Sequence, residues 1–184
     1  MTSAANCEGK KYTGLSAIIL LVFAQNSQNN KEFSASGYDL TIILKQLRLS
    51  FSHQQIYREV KNIGLLKCEV MPQDGKPDRK VYSLIDTSAE ALGAIQQHID
   101  FHPKRTNPKI FLAFNLPNVV MTAFNAYNDF IESEKRDDIK LQDKLEKNGV
   151  STKGGQALRD FEFKLHDTIL GALSSHVNNL LKTN

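Results

Sequence analysis

Residues 52–83 read SHQQIYREVKNIGLLKCEVMPQDGKPDRKVYS, and how this stretch folds decides the rest. Ser52 followed three residues later by Gln55 is the capping-box spacing, in which the two side chains satisfy each other's exposed amides at a helix start. A helix is therefore predicted to begin at Ser52 and run to Ile63. At about 100° per residue, Ile56, Val60 and Ile63 fall on one side while Gln54, Arg58, Lys61 and Asn62 fall on the other. One face anchors and the opposite face presents hydrogen-bonding groups. Residues 65–71 and 80–84 then alternate as short antiparallel strands, joined by PQDGKPDRK, whose Asp-Gly and prolines mark a tight turn. A helix followed at once by a charged hairpin has the layout of a winged helix-turn-helix.

Working outward, Leu15, Ile18, Ile19, Val22 and Phe23 recur at helical spacing, so residues 14–25 are predicted as a buried helix ended by the polar run Gln25 to Lys31. A second helix is expected from Ser36 to Leu47, with Tyr38, Leu40, Ile43, Leu44 and Leu47 inward. Asp86-Thr87-Ser88 supplies cap residues for a further helix to Ile99. Asp100 to Pro108 carries two prolines and reads as a linker. Beyond it the chain is helical, with Pro117 set to break any helix begun near Lys109. Val120, Phe124, Tyr127 and Ile131 form one apolar series, continued by Leu141 and Leu145. Leu158, Phe161, Leu165, Ile169, Leu173, Val177 and Leu180 form another after the Gly-rich stretch 148–155. Two such stripes need a cover. The economical one is each other plus the same pair from a second subunit, a coiled-coil-like homodimer, with a monomeric pair lying on the first domain as the alternative. The predicted organisation is a flexible extension over 1–13, a winged helix-turn-helix domain over 14–99, a linker over 100–109 and a helical dimerisation domain over 110–184, mostly α with an α+β wing.

The chain has 184 residues, 41% hydrophobic and 23% charged, which fits a globular protein with one core or one core plus a helical unit. Lys10-Lys11 before the apolar run 18–24 resembles a secretory signal. The run is too short to span a bilayer, and cleavage near Ala24 would discard the first core helix. With Cys7 and Cys68 far apart and without His or Cys at ligand spacing, no disulfide framework or metal site is expected, and a reducing cytoplasmic setting fits best.

A formal charge of +3 does not announce a polyanionic partner, so placement matters. From Lys45 to Lys80 eight cations (Lys45, Arg48, Arg58, Lys61, Lys67, Lys76, Arg79, Lys80) face four acids (Glu59, Glu69, Asp74, Asp78), an excess of four. Gln54 carries the amide that pairs bidentately with adenine, Arg58 the fork that pairs with guanine, and Lys61 suits phosphate. Taken singly these are an ordinary solvated helix face, and the hairpin charges could merely keep a turn soluble. Together they point to double-stranded DNA. His53 is read as packing or touching phosphate rather than catalytic. His166 and Asp167 are adjacent and point in different directions, as a solvated or interface pair would. Gly149 to Gly155 lacks the order that cradles phosphate, and no activated nucleophile is visible, so no enzyme and no cofactor is expected.

Ser36-Gly37-Tyr38-Asp39-Leu40, SHQQIYRE and PQDGKPDRKVYS resemble the DNA-binding domain of the PadR family of transcriptional regulators, in its AphA-like branch, over residues 15–92. The C-terminal helices resemble the family's dimerisation region by pattern. The resemblance implies a homodimer with swapped C-terminal helices, and DNA contacts at His53, Gln54, Gln55, Tyr57 and Arg58 in the recognition helix and at Lys76, Arg79 and Lys80 in the wing. The segments on either side of the recognition helix look shorter than the family's, the N-terminal extension departs from it, and the absence of Trp argues against a small-molecule effector of the aromatic kind. The rival reading is an interaction module that binds or antagonises another transcription regulator.

Overall fold

The computed structural model describes residues 9–29, 32–148 and 153–183, which divide into two compact units, Met1–Asp100 and Phe101–Asn184. The first unit is a winged helix-turn-helix. Its centre is α1 (Gly14–Asn29), in which every residue from Ala17 to Ala24 is at most 2% exposed. A helix apolar all round must be enclosed on all sides, so the run that imitates a signal sequence is core. The helix continues past Gln25 to Asn29 because Ser27 is buried and the Asn26 side-chain amide donates to the Val22 carbonyl at 2.8 Å.

Helices α2 (Gly37–Gln46) and α3 (His53–Asn62) follow. α2 ends in a Schellman motif: the Arg48 amide donates to Lys45 O at 3.0 Å and the Leu49 amide to Leu44 O at 2.9 Å. The motif needs a left-handed residue, and here it is Arg48, with φ 61°, rather than glycine. This turn aims α3, which packs on α1 and α2 through Ile56, Val60 and Ile63, each at most 1% exposed.

Strands β2 (Leu66–Met71) and β3 (Arg79–Leu84) form the expected hairpin, with Gly75 at φ 68° in its turn. A third strand, β1 (Ser34–Ser36), pairs antiparallel with β3 and puts β3 in the middle of the sheet, Ser36 opposite Val81. The helix expected from Ser88 to Ile99 is shorter. α4 spans Ala89–Gly93 and passes into a 3-10 turn over Ile95–His98, because Gly93 is a poor helix former and Ile99 is drawn into a bridge with Tyr12. Of the extension expected to be flexible over 1–13, the described residues near this bridge are tied to the core. Tyr12 is 3% exposed and its hydroxyl accepts from the Gly64 amide at 2.9 Å, while Lys10 donates to Asn62 O at 2.8 Å. Residues 1–8 lie outside the described part.

In the second unit the stretch read as a linker is packed. Phe101 lies against Phe111 at 5.3 Å between ring centroids, Thr106 is buried, and a 3-10 turn occupies Pro108–Ala113. Pro117 opens α5 (Pro117–Lys147) at its first turn, where a missing amide costs nothing. α5 pairs with α6 (Lys153–Thr183) as a helical hairpin. Tyr127 OH bonds His166 Nδ1, Lys135 meets Asp167 at 3.5 Å, and Arg159 meets Asp138 at 3.1 Å. Burial pushes the Tyr127 phenol up in pKa, which keeps it neutral. His166 and Asp167 thus both tie α6 to α5.

The residues expected at a dimer interface are divided by this arrangement. Val120, Tyr127, Ile131, Ile169, Leu173, Val177 and Leu180 are buried by the chain itself, and Phe124 is half-buried. Leu158, Phe161 and Leu165 are 61%, 64% and 43% exposed. Because α6 uses Arg159, Phe163 and His166 toward α5, the geometry of a helix turns 158, 161 and 165 well away from it.

The left-handed Arg48 supplies a stability test. Arg48→Gly relieves a backbone conformation that disfavours side chains and should stabilise the unit by about 0.5–1 kcal/mol, net of glycine's greater freedom when unfolded. A raised urea midpoint at unchanged slope is the expected reading, and a lowered midpoint would contradict it.

Candidate nucleic-acid interface

The candidate interface is built on α3. Ser52 Oγ accepts from the Gln55 amide at 3.2 Å and Gln55 Oε1 accepts from the Ser52 amide at 2.9 Å, so the capping box is present in both directions. With Ile56 and Val60 buried, His53, Gln54, Gln55, Tyr57, Arg58 and Lys61 are all exposed.

These six are not equivalent. Gln54 and Lys61 project without a recorded partner among the described residues. Gln55 spends its side-chain oxygen on the cap. His53 packs back on α2, its ring stacked on Tyr38 at 6.0 Å and its Nδ1 3.3 Å from Thr41 Oγ1. Arg58 donates from Nε to Glu59 Oε1 at 3.2 Å while Glu59 Oε2 accepts from Ser16 Oγ of α1 at 2.7 Å, so this arginine is braced from the core yet its side chain is 68% exposed. Tyr57 lies over Gly37, where a Cβ would come within 2.5 Å of the ring's Cζ. A side chain at 37 would have to displace the ring.

In the wing, Lys76 and Lys80 are exposed and Lys67 pairs with Glu69 at 3.2 Å. Arg79 is tied instead to the start of α2: its Nη2 lies 2.5 Å from Asp39 Oδ2 and 3.4 Å from Ser36 Oγ. Asp39 Oδ2 also accepts from the Ser36 amide and hydroxyl, both at 2.8 Å. Desolvation pushes the Asp39 carboxyl up, but these Ser36 bonds and the Arg79 guanidinium more than offset it and hold the group below its ordinary 3.8. Because the folded value is depressed, what this cluster contributes to stability is present above the ordinary carboxylate range and is lost as pH falls through the folded value. Behind the wing, burial and then Cys68, directly across the ladder, push the Tyr82 phenol up to about 12, so it stays neutral.

Tyr38, Tyr57, Gln73, Arg79 and Lys80 border an open cleft of about 520 Å³ between the helices and the wing. Tyr38, Asp39 and Gln73 were not singled out from the sequence as part of a site. Ser36-x-x-Asp39 has the spacing of Ser52-x-x-Gln55, and that signal could have found Asp39.

No protein-family model matches the chain, and no curated protein does. Among solved structures it is similar to Bacillus subtilis PadR in complex with operator DNA, with a TM-score of 0.37 and 19% identity over 90% of this chain and 98% of that one. It is also similar to smu.1604c from Streptococcus mutans UA159, with a TM-score of 0.33 and 16% identity over 89% of this chain and 98% of that one.

The contact between Tyr57 and Gly37 is testable as a coupled pair. Gly37→Ala should cost about 1–2 kcal/mol by overpacking, and almost nothing in a Tyr57→Ala background. Equal losses in both backgrounds, measured by thermal unfolding, would contradict the contact.

Proposed function

We propose that the chain is a sequence-specific DNA-binding transcriptional regulator of the PadR type, in its AphA-like branch. The observation that carries this reading is the outer face of α3, where Gln54, Arg58 and Lys61 stand exposed from a helix capped at one end and buried along the other face. Gln54 and Arg58 have the groups that read base edges in the major groove, and Lys61 together with the wing's Lys76 and Lys80 suits phosphate. His53, Gln55 and Tyr57 act more by placing the helix than by reading bases, since each is engaged within the unit.

The regulator acts as a homodimer on an inverted repeat. Leu158, Phe161 and Leu165 form an apolar stripe that α5 does not use, and a second copy of the hairpin is the partner it suits. Two recognition helices then address major-groove faces roughly one helical turn apart, about 34 Å. The site has no role for a catalytic group or a cofactor, and the cytoplasm is where such a protein would meet its operator.

A second reading rests on one observation: Arg58 and Arg79 both pair with acids of their own chain, Glu59 and Asp39. A surface whose arginines are partly neutralised also suits an interaction module that binds another regulator.

Duplex binding separates the two. With DNA flanking the protein's own gene, affinity should fall steeply as salt rises. Arg58→Ala should weaken specific binding by about 1–3 kcal/mol with the dimer intact, whereas Lys61→Ala should weaken all duplexes alike. No binding at low salt, with capture of a second regulator, would favour the interaction module. Sedimentation should find a dimer that Phe161→Asp converts to monomer; a wild-type monomer would overturn the two-half-site geometry.

A further inference from the structure

Arg79 was expected, by the family resemblance, to be a DNA contact in the wing, and the structure shows how it is held. One guanidinium nitrogen, Nη2, is consumed by Asp39 in the first turn of α2 and by Ser36, the residue that caps it. The other two nitrogens have no recorded partner among the described residues, and the side chain is 44% exposed. A planar fork held at one corner has lost most of its rotamer freedom, so its remaining N–H groups meet an acceptor with less entropy left to lose. This fork and Lys80 border the same cleft as the Tyr38 and Tyr57 rings and the Gln73 amide. Asp78 also borders the cleft. Of the Asp39 oxygens only Oδ2 is engaged in these bonds. Against the two carboxylates the wall sets the remaining Arg79 nitrogens and Lys80, with hydroxyl and amide groups that can donate beside them. A phosphodiester, which only accepts, is the ligand such a wall suits.

Resting on the DNA-binding reading above, we propose that the cleft between the wing and the helices takes a backbone phosphate of the duplex, and that Asp39 is the positioning residue that presents Arg79 to it. Removing a carboxylate from a surface that meets a polyanion should tighten binding through long-range attraction. If Asp39 acts by holding Arg79, its removal should weaken binding instead.

The experiment uses the full chain and the duplex flanking its own gene, with affinity followed by fluorescence anisotropy across a salt series. Asp39→Asn keeps an oxygen for the Ser36 amide, so the α2 cap survives, while Arg79→Ala leaves the cap untouched and covers the case in which the Asn variant folds poorly. Each variant should bind about tenfold more weakly, within the coupling range of contacting side chains, and the double variant should bind no more weakly than Arg79→Ala alone. Arg79→Ala should also reduce the salt slope by about one. Neutralising duplex phosphates one at a time as methylphosphonates should reveal one position that weakens the wild type and leaves Arg79→Ala unchanged. Equal or tighter binding by Asp39→Asn, or additive losses in the double variant, would overturn the inference while leaving the DNA-binding reading in place. Absence of binding by the wild type would strike that reading itself. The order of the Arg79 Nε–H group, measured by NMR on the free protein, separates the two failures: a group fixed in the wild type and loosened in Asp39→Asn supports the positioning role, and one mobile in both overturns it.

Discussion

Ile56, Val60 and Ile63 have to leave water together, and α3 owes its orientation to that constraint. Burying each of these side chains is worth roughly 1.5–3 kcal/mol, far more than any single polar contact on the opposite face. The helix therefore cannot rotate to bring Gln54, Arg58 or Lys61 inward without exposing all three. Its seat is α1, whose own sides are enclosed from Ala17 to Ala24, and α2, which sets the angle of approach through the Schellman turn at Arg48. The outer face is determined by what the inner face must do.

Small groups at close quarters tighten this arrangement. Gly37 lets the Tyr57 ring lie against the start of α2, and the same turn of α2 carries Ser36 and Asp39, whose capping box reaches across to Arg79. A distant strand thus meets two consecutive elements at one corner: β1 pairs with β3, β3 carries Arg79, and Arg79 closes on α2. A hairpin alone would be marginal in water. Held by a third strand and an ion pair, the base of the wing is fixed to the helix pair it flanks.

How much of this was legible depended on the range of the interaction. The Ser52–Gln55 box, the two faces of α3 and the two long hairpin strands follow from residues within one or two turns of each other, and local pattern found them. β1 has three residues, too few to display a period of two. The pairing of Arg79 with Asp39 spans 40 positions, which no local pattern encodes. Tyr12 was lost in a polar stretch because its burial depends on meeting Ile99 and Gly64. The apolar series on α5 and α6 were visible at once, but periodicity does not say whether a stripe faces its own hairpin or another copy. That is why residues 158, 161 and 165 separate from 169, 173, 177 and 180 only in three dimensions.

The own-chain acids beside the arginines also bear on what kind of binding surface this is. Glu59 neutralises part of Arg58 and is itself held by Ser16, so the charge available for nonspecific attraction falls. Yet only Nε of Arg58 is used, and its two terminal nitrogens are left in the geometry that a bidentate contact with a guanine edge would need. Bracing an arginine this way lowers long-range affinity, which any polyanion would exploit, and raises the return from a correctly placed acceptor. The same argument holds for Arg79 and Asp39. On the DNA-binding reading proposed above, a chain with a formal charge of only +3 would discriminate better by fixing a few cations than by adding more, and both braces are anchored on elements that the buried core already immobilises.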